Sequence, residues 1–227
     1  MNTPIILDDI DFSVNYHHFN PEEIQTDETI NCVFVVDISP SVGTYIKDLN
    51  HAFSDFVSNM QQSHLAGQLL VSVTEFNEQV LVKTGFQPIG QLPQMIFAPS
   101  GGGTALYDAT LRGVRQAIDY RATLETSGVQ AKTLVFVITD GEDNSSSHQA
   151  ADVKAILDRL KADERTAFSF TTVLFGVGSA AAFGKARQDM GIQHLATVGT
   201  SGAEIKRMIG LIQNSVSSTA SGHAISF

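Results

Sequence analysis

The chain is short of basic residues, with 14 Lys and Arg against 24 Asp and Glu and a net charge of -10. None of these basic residues forms a run, so nucleic acid is not an expected partner, because binding to its backbone needs a basic face. The same deficit argues against an anionic membrane surface. Cysteine is nearly absent. Cys32 stands alone, so no intrachain disulfide forms, and its place inside an apolar run marks it as a small buried hydrophobe. Absence of disulfides fits a reducing compartment. No apolar run reaches the roughly 18 residues of a membrane span. The opening residues, MNTPIILDDIDF, lack both a basic start and a long apolar stretch, and do not read as a signal peptide. A cytoplasmic setting is expected. No G-x-S-x-G string, no P-loop lysine and no internal repeat occurs, and none of the seven histidines has an evident triad role.

What is present suffices for a core. With 227 residues, 43% of them hydrophobic, one α/β domain with extensions accounts for the length. Two apolar, β-branched runs, NCVFVV and TLVFVIT, read as strands covered on both faces. The first ends in Asp37-Ile38-Ser39-Pro40-Ser41 and the second in Asp140-Gly141-Glu142-Asp143. In open α/β sheets ligands sit beyond the carboxyl ends of the strands, so two carboxylates arriving there with hydroxyls point to a hard cation. A third string, Ser100-Gly101-Gly102-Gly103-Thr104, is a glycine loop leading into a helical pattern, and it can bring the Thr104 hydroxyl to the other two. Asp37, Ser39, Ser41, Thr104 and Asp140 offer only oxygen, which selects Mg2+, or Mn2+ or Ca2+, over zinc or copper. Taken singly, each string is also explained by loop capping, since Asp and Ser are favoured there anyway.

Apolar spacing from Val42 to Met60 predicts a long helix directly after the first strand, beginning near Pro40. Residues 69–76 and 79–86 read as two strands joined at Asn77-Glu78, an antiparallel hairpin at a sheet edge. A helix follows Thr104 and ends at Ser127-Gly128. After the strand ending in Asp140, DNSSSH reads as the cap of a helix that buries Val153, Ile156, Leu157 and Leu160. A further strand (FSFTTVLFGVG), a shorter helix, a strand over 193–198 and a capping-box helix from Ser201 complete the pattern. The fold expected is doubly wound α/β: a mostly parallel six-stranded sheet with one antiparallel edge strand and helices on both faces. Residues 1–28 form an N-terminal arm, lying on the body or on a second copy, and 218–227 a flexible tail. His17, His18 and His148 are expected at the surface, and Glu142 and Asp143 as solvated loop acids.

The order D-x-S-x-S, then a distant Thr, then a distant Asp, is similar to that of the von Willebrand factor A domain family with a metal-ion-dependent adhesion site. The resemblance covers residues 29–217, and GGGTALYDA and VITDGEDNSS are similar to stretches in a bacterial and phage-type intracellular branch. Pro40 departs from the family, which usually has glycine there. The resemblance implies that Ser39, Ser41 and Thr104 ligate directly and Asp37 and Asp140 directly or through water. It further implies a protein partner that donates Asp or Glu to the metal, such as an AAA+ ATPase complex, and a binding module, not an enzyme. Two other readings stand beside it: a Mg2+-dependent phosphoryl-transfer or hydrolytic site on the same carboxylates, and a structural protein that self-assembles through its arm or tail. Gly176-Val177-Gly178-Ser179-Ala180-Ala181 fits a dinucleotide fingerprint formally but reads better as a tight strand-to-helix turn. The Gly101–Gly103 loop resembles a phosphate cradle, without the lysine.

Overall fold

The computed structural model describes residues 17–179, 183–223 and 225. The run before Asp37 forms β1 (Glu28–Asp37), and the run before Asp140 forms β4 (Gln130–Thr139). Between them lie α1 (Ile46–Gln61), the hairpin of β2 (Leu69–Phe76) and β3 (Val80–Pro88), and α2 (Leu106–Thr126). After β4 come α3 (Ala150–Ala162), β5 (Phe170–Val177), α4 (Phe183–Met190), β6 (His194–Val198) and α5 (Gly202–Ala220). The six strands run in the order β3-β2-β1-β4-β5-β6. All neighbours are parallel except β2 and β3, so the doubly wound sheet with one antiparallel edge is as expected.

Period-two alternation divides the buried side chains of β1 and β4 between two cores. Ile30, Cys32, Phe34, Val36, Leu134, Phe136 and Ile138 meet α1 and α5 on one face. Val33, Val35, Val135 and Val137 meet α2 and α3 on the other. Burial raises the Cys32 thiol pKa well above the ordinary range, so it packs as an inert hydrophobe. Since β1 leads outward to β2 and the chain returns to β4 on its other side, the strand order reverses between β1 and β4, where such sheets form their crevice.

Several local expectations are corrected. The first helix does not run unbroken from Pro40: residues Pro40–Thr44 form a 3-10 turn with proline at its first position, and α1 starts at Ile46 after Tyr45 breaks the φ pattern at −128°. Pro40 suits that first turn because its missing N–H would have had no partner there. The DNSSSH stretch does not cap α3. Gln149 and Asp152 form that capping box, and the serines serve α2 instead. Helix α5 runs past Ser217 to Ala220, because Ala220 extends the stripe of Ile209, Ile212 and Val216 onto the core, where Ile225 also packs.

On the arm, the apolar positions Ile5, Ile6, Leu7, Phe12, Val14 and Tyr16 lie outside the described residues. His17 to Phe19 lie on the body. Phe19 donates its N–H to the Phe86 carbonyl (2.7 Å), and the His18 ring sits 4.8 Å from Tyr120 and 5.6 Å from Phe86. His18 is therefore half-buried, not a surface residue, with its Nδ1 accepting from the Phe86 N–H (3.0 Å) and its pKa lowered by burial. The expected strand-to-helix turn is present at Gly176 and Gly178: a Cβ at Gly176 would fall 2.2 Å from the Phe183 ring, and Gly178 holds φ +98°. Ala180 and Ala181 lie outside the described residues. Among the described residues no helix is long and apolar enough to cross a membrane.

Candidate functional site

Asp37 ends β1 and is 1% exposed. Its Oδ1 accepts the Ser39 N–H at 2.8 Å, an Asx-type turn that bends the chain out of the strand. Its Oδ2 accepts from the Thr139 hydroxyl at 2.6 Å, so the last residue of the neighbouring strand fixes the carboxylate in one orientation. The Ser39 and Ser41 hydroxyls lie 3.0 Å apart, and Ser41 Oγ donates to Asp140 Oδ1 at 2.7 Å. The first and second strings thus join in one hydrogen-bonded chain: Asp37, Ser39, Ser41, Asp140.

The third string reaches the same place. Ser100 donates its N–H to the Ile38 carbonyl (2.8 Å), tying the glycine loop to the first string. Thr104 is buried, and its hydroxyl faces the turn after Asp140: a Cβ on Gly141 would lie 3.7 Å from Thr104 Oγ1. Its backbone is held from the β4 side, with its N–H donating to Asn144 Oδ1 (2.8 Å) and its carbonyl accepting from the N–H groups of Asn144 (3.0 Å) and Ser145 (3.3 Å). Three loops therefore bring the five expected side chains to one crevice.

Neighbouring residues differ from expectation. Asp143 is not a solvated acid; its Oδ2 accepts the Tyr107 N–H (3.1 Å), an open donor in the first turn of α2, and also the Ser146 hydroxyl of its own loop. Asp108 receives the N–H groups of Ser147 (2.8 Å) and His148 (2.9 Å), and His148 Nδ1 lies 2.6 Å from its Oδ1, so His148 is an anchored loop residue. Glu142 is exposed. The glycine loop is an anion cradle, but its anion is part of the chain: Glu78 Oε2 accepts from Gly102 N–H at 2.6 Å and Gly103 N–H at 3.2 Å. Thr139, Asn144 and Glu78 were missed from the sequence. A Thr at the polar end of an otherwise apolar strand was the available signal for the first; nothing local marks the other two.

The electrostatics are those of an uncompensated acid pair. Burial raises the Asp37 pKa above its ordinary value against the opposing hydrogen bonds from Thr139 and Ser39. Burial first, then the Asp37 charge, raises that of Asp140, while Ser41 opposes. Among the described residues neither aspartate has an ion-pair partner. Nor, among them, does any group of three or more His, Cys, Asp and Glu converge as a metal cage. A cation here would take most of its protein ligands from hydroxyls, and the donor set of two carboxylates and three hydroxyls fits a divalent ion.

The sequence model of the von Willebrand factor type A domain matches residues 31–208. The chain belongs to that family. No curated protein matches it in sequence. Among solved structures, it is similar to proximal thread matrix protein 1 from the mussel byssus with a zinc-occupied MIDAS motif, at TM-score 0.57 and 14% identity over 86% of this chain and 46% of that one. It is also similar to the pilus adhesin SpaC of Lactobacillus rhamnosus GG in its open conformation, at TM-score 0.55 and 17% identity over 85% of this chain and 30% of that one. A von Willebrand factor type A protein from Catenulispora acidiphila matches at TM-score 0.54 and 15% identity, over 84% of this chain and 43% of that one. This von Willebrand A domain spans less than half of each of these neighbours. At such identities the likeness concerns the fold.

Proposed function

We propose that this von Willebrand A domain is a metal-ion-dependent protein-binding module, not an enzyme. In this reading Ser39, Ser41 and Thr104 ligate a divalent cation through their hydroxyls, Asp37 and Asp140 balance its charge, and an Asp or Glu of a partner protein completes the shell. The supporting observation is a buried and a half-buried carboxylate, Asp37 and Asp140, joined through Ser39 and Ser41 and without an ion-pair partner among the described residues. When bound, the cation supplies positive charge and an open coordination position in a partly dry crevice. Asp37 is held rigid by Thr139, whereas Asp140 is partly exposed and carries the hydrogen bond from Ser41. Asp140 is accordingly the carboxylate free to exchange between metal and water when a partner's acid arrives.

Oxygen-only donors favour magnesium. Zinc is a necessary comparison because the mussel neighbour carries it at its own site. The lone buried Cys32 supports a cytoplasmic setting, and the stretches GGGTALYDA and VITDGEDNSS support a bacterial or phage-type one.

The test uses Mn2+ as a paramagnetic probe. Bound Mn2+ with water in an open position enhances water-proton relaxation, and a glutamate-containing peptide added in excess is expected to lower that enhancement. An amide-for-acid version of the peptide is expected to leave it unchanged. Equal effects of both peptides would refute acid docking.

A further inference from the structure

The glycine loop raises a mechanical question: three consecutive glycines restrict Thr104 very little by themselves, since each has wide backbone freedom. The restriction on the side away from β4 comes from the β2–β3 turn. Asn77 donates its side-chain amide to the Ser100 carbonyl and hydroxyl, both at 3.1 Å, and its carbonyl accepts the Ala105 N–H at 2.6 Å, so it grips the loop at both ends. Its Oδ1 accepts from Gln79 N–H at 2.8 Å, which shapes the turn and presents the next residue. That residue is Glu78, whose Oε2 holds the Gly102 and Gly103 N–H groups at 2.6 and 3.2 Å. Gly101 takes φ +80°, and a Cβ there would lie 2.1 Å from the same Oε2, so the loop closes around the carboxylate with no room for a larger residue.

Glu78 is exposed and, among the described residues, forms no ion pair. Its charge is directed at backbone donors, and these hold its pKa below the usual value, the Gly102 N–H first. On the opposite side Asn144 and Ser145 hold the Thr104 backbone, and a Cβ at Gly103 would strike Ser145 Oγ at 2.0 Å. Thr104 therefore sits between two clamps, one built on the Asp140 loop and one on the hairpin turn.

We infer that Glu78 is a positioning residue for the metal site: by gripping Gly102 and Gly103 it sets where Thr104 places its hydroxyl, without ligating the ion itself. The inference rests on the metal-binding reading above and assigns to that site a residue outside the D-x-S-x-S, Thr and Asp set.

Reach and charge are separable. Glu78→Gln keeps an acceptor at the same distance and loses the charge. Glu78→Asp keeps the charge and, one methylene shorter, withdraws it from the loop. Glu78→Ala loses both. Mn2+ affinity is measured calorimetrically for wild type and all three, with amide hydrogen exchange of Gly102 and Gly103 followed without metal.

Positioning predicts that Gln stays near wild type, while Asp and Ala bind about tenfold more weakly, the scale of losing a residue that orients a ligand. Exchange at both glycines is expected to accelerate in Asp and Ala. The reverse order, with Asp near wild type and Gln as weak as Ala, would show that Glu78 acts only through its charge and would overturn the inference. So would equal affinity throughout. Failure of wild type itself to bind Mn2+ would instead refute the metal-binding reading, and this inference with it. Exposure of Glu78 means its truncation opens no cavity; cooperative melting of each variant checks the fold.

Discussion

Replacing Asp37 by Asn separates the requirement for the carboxylate's charge from that for its shape. The amide oxygen can still accept the Ser39 N–H, now 2.8 Å from Oδ1, but the amide nitrogen cannot accept from Thr139, now 2.6 Å from Oδ2. Losing that bond costs about 1 kcal/mol. Against it stands relief from burying an ionised group that is 1% exposed, and burial outweighs the hydrogen bonds at this position. Metal-free Asp37→Asn is therefore expected to be at least as stable as wild type at neutral pH. Magnesium at about 100 times its dissociation constant is expected to stabilise wild type by about 2.7 kcal/mol. For a domain of this size that is a rise in melting temperature of roughly 5–10 °C; the variant is expected to show none. The pH dependence has a defined sign. Asp37 and Asp140 both have folded pKa values above the ordinary 3.8, so their contribution to stability is full below 3.8 and is lost as pH rises through the folded values. Metal-free wild type should lose more stability over that window than Asp37→Asn. Differential scanning calorimetry with chelator and with magnesium reads all of this. A variant that keeps the magnesium-induced rise, or that is more than about 1 kcal/mol less stable in chelator, would refute the reasoning.

Tyr45→Phe tests the wall beside the site. The Tyr45 hydroxyl is buried without a protein hydrogen-bond partner among the described residues, and burial with the Asp140 and Asp37 charges raises its pKa far above the ordinary value. Removing it should stabilise the metal-free domain by about 1 kcal/mol in urea unfolding, and destabilisation would mean that the hydroxyl is bonded. Gly176→Ala places a Cβ 2.2 Å from the Phe183 ring and should cost about 1–3 kcal/mol, with Phe183→Leu in the same chain restoring part of it. Urea midpoints that do not move in the single variant would contradict that packing.

The parts of this domain legible in the sequence are those where one physical rule acts alone. The runs that became β1 and β4 are apolar on both faces, so their type and their termination at Asp37 and Thr139 follow from burial. The β2–β3 edge hairpin likewise follows from two β-branched runs a few residues apart. The 3-10 turn after Asp37 was hidden because Val42 and Tyr45 keep helical apolar spacing while the backbone changes pitch to bring Ser39 and Ser41 together. The five candidate ligands were legible as residue types in order, but the residues that orient them were not. Thr139 acts across a strand pair, Asn144 across two loops and Glu78 across a hairpin turn and a glycine loop, and such partners carry no local periodicity. Asp143 was misread for the same reason, since the α2 donor it satisfies lies 36 positions earlier in the chain.

The central claim is that three loops form one divalent-cation site. The most direct measurement is anomalous diffraction at the manganese edge from crystals of the wild-type domain grown with Mn2+. One strong peak is expected in the crevice, with the Ser39, Ser41 and Thr104 hydroxyls about 2 Å from it. A peak away from these residues, or none where all three loops are well ordered, would contradict the claim.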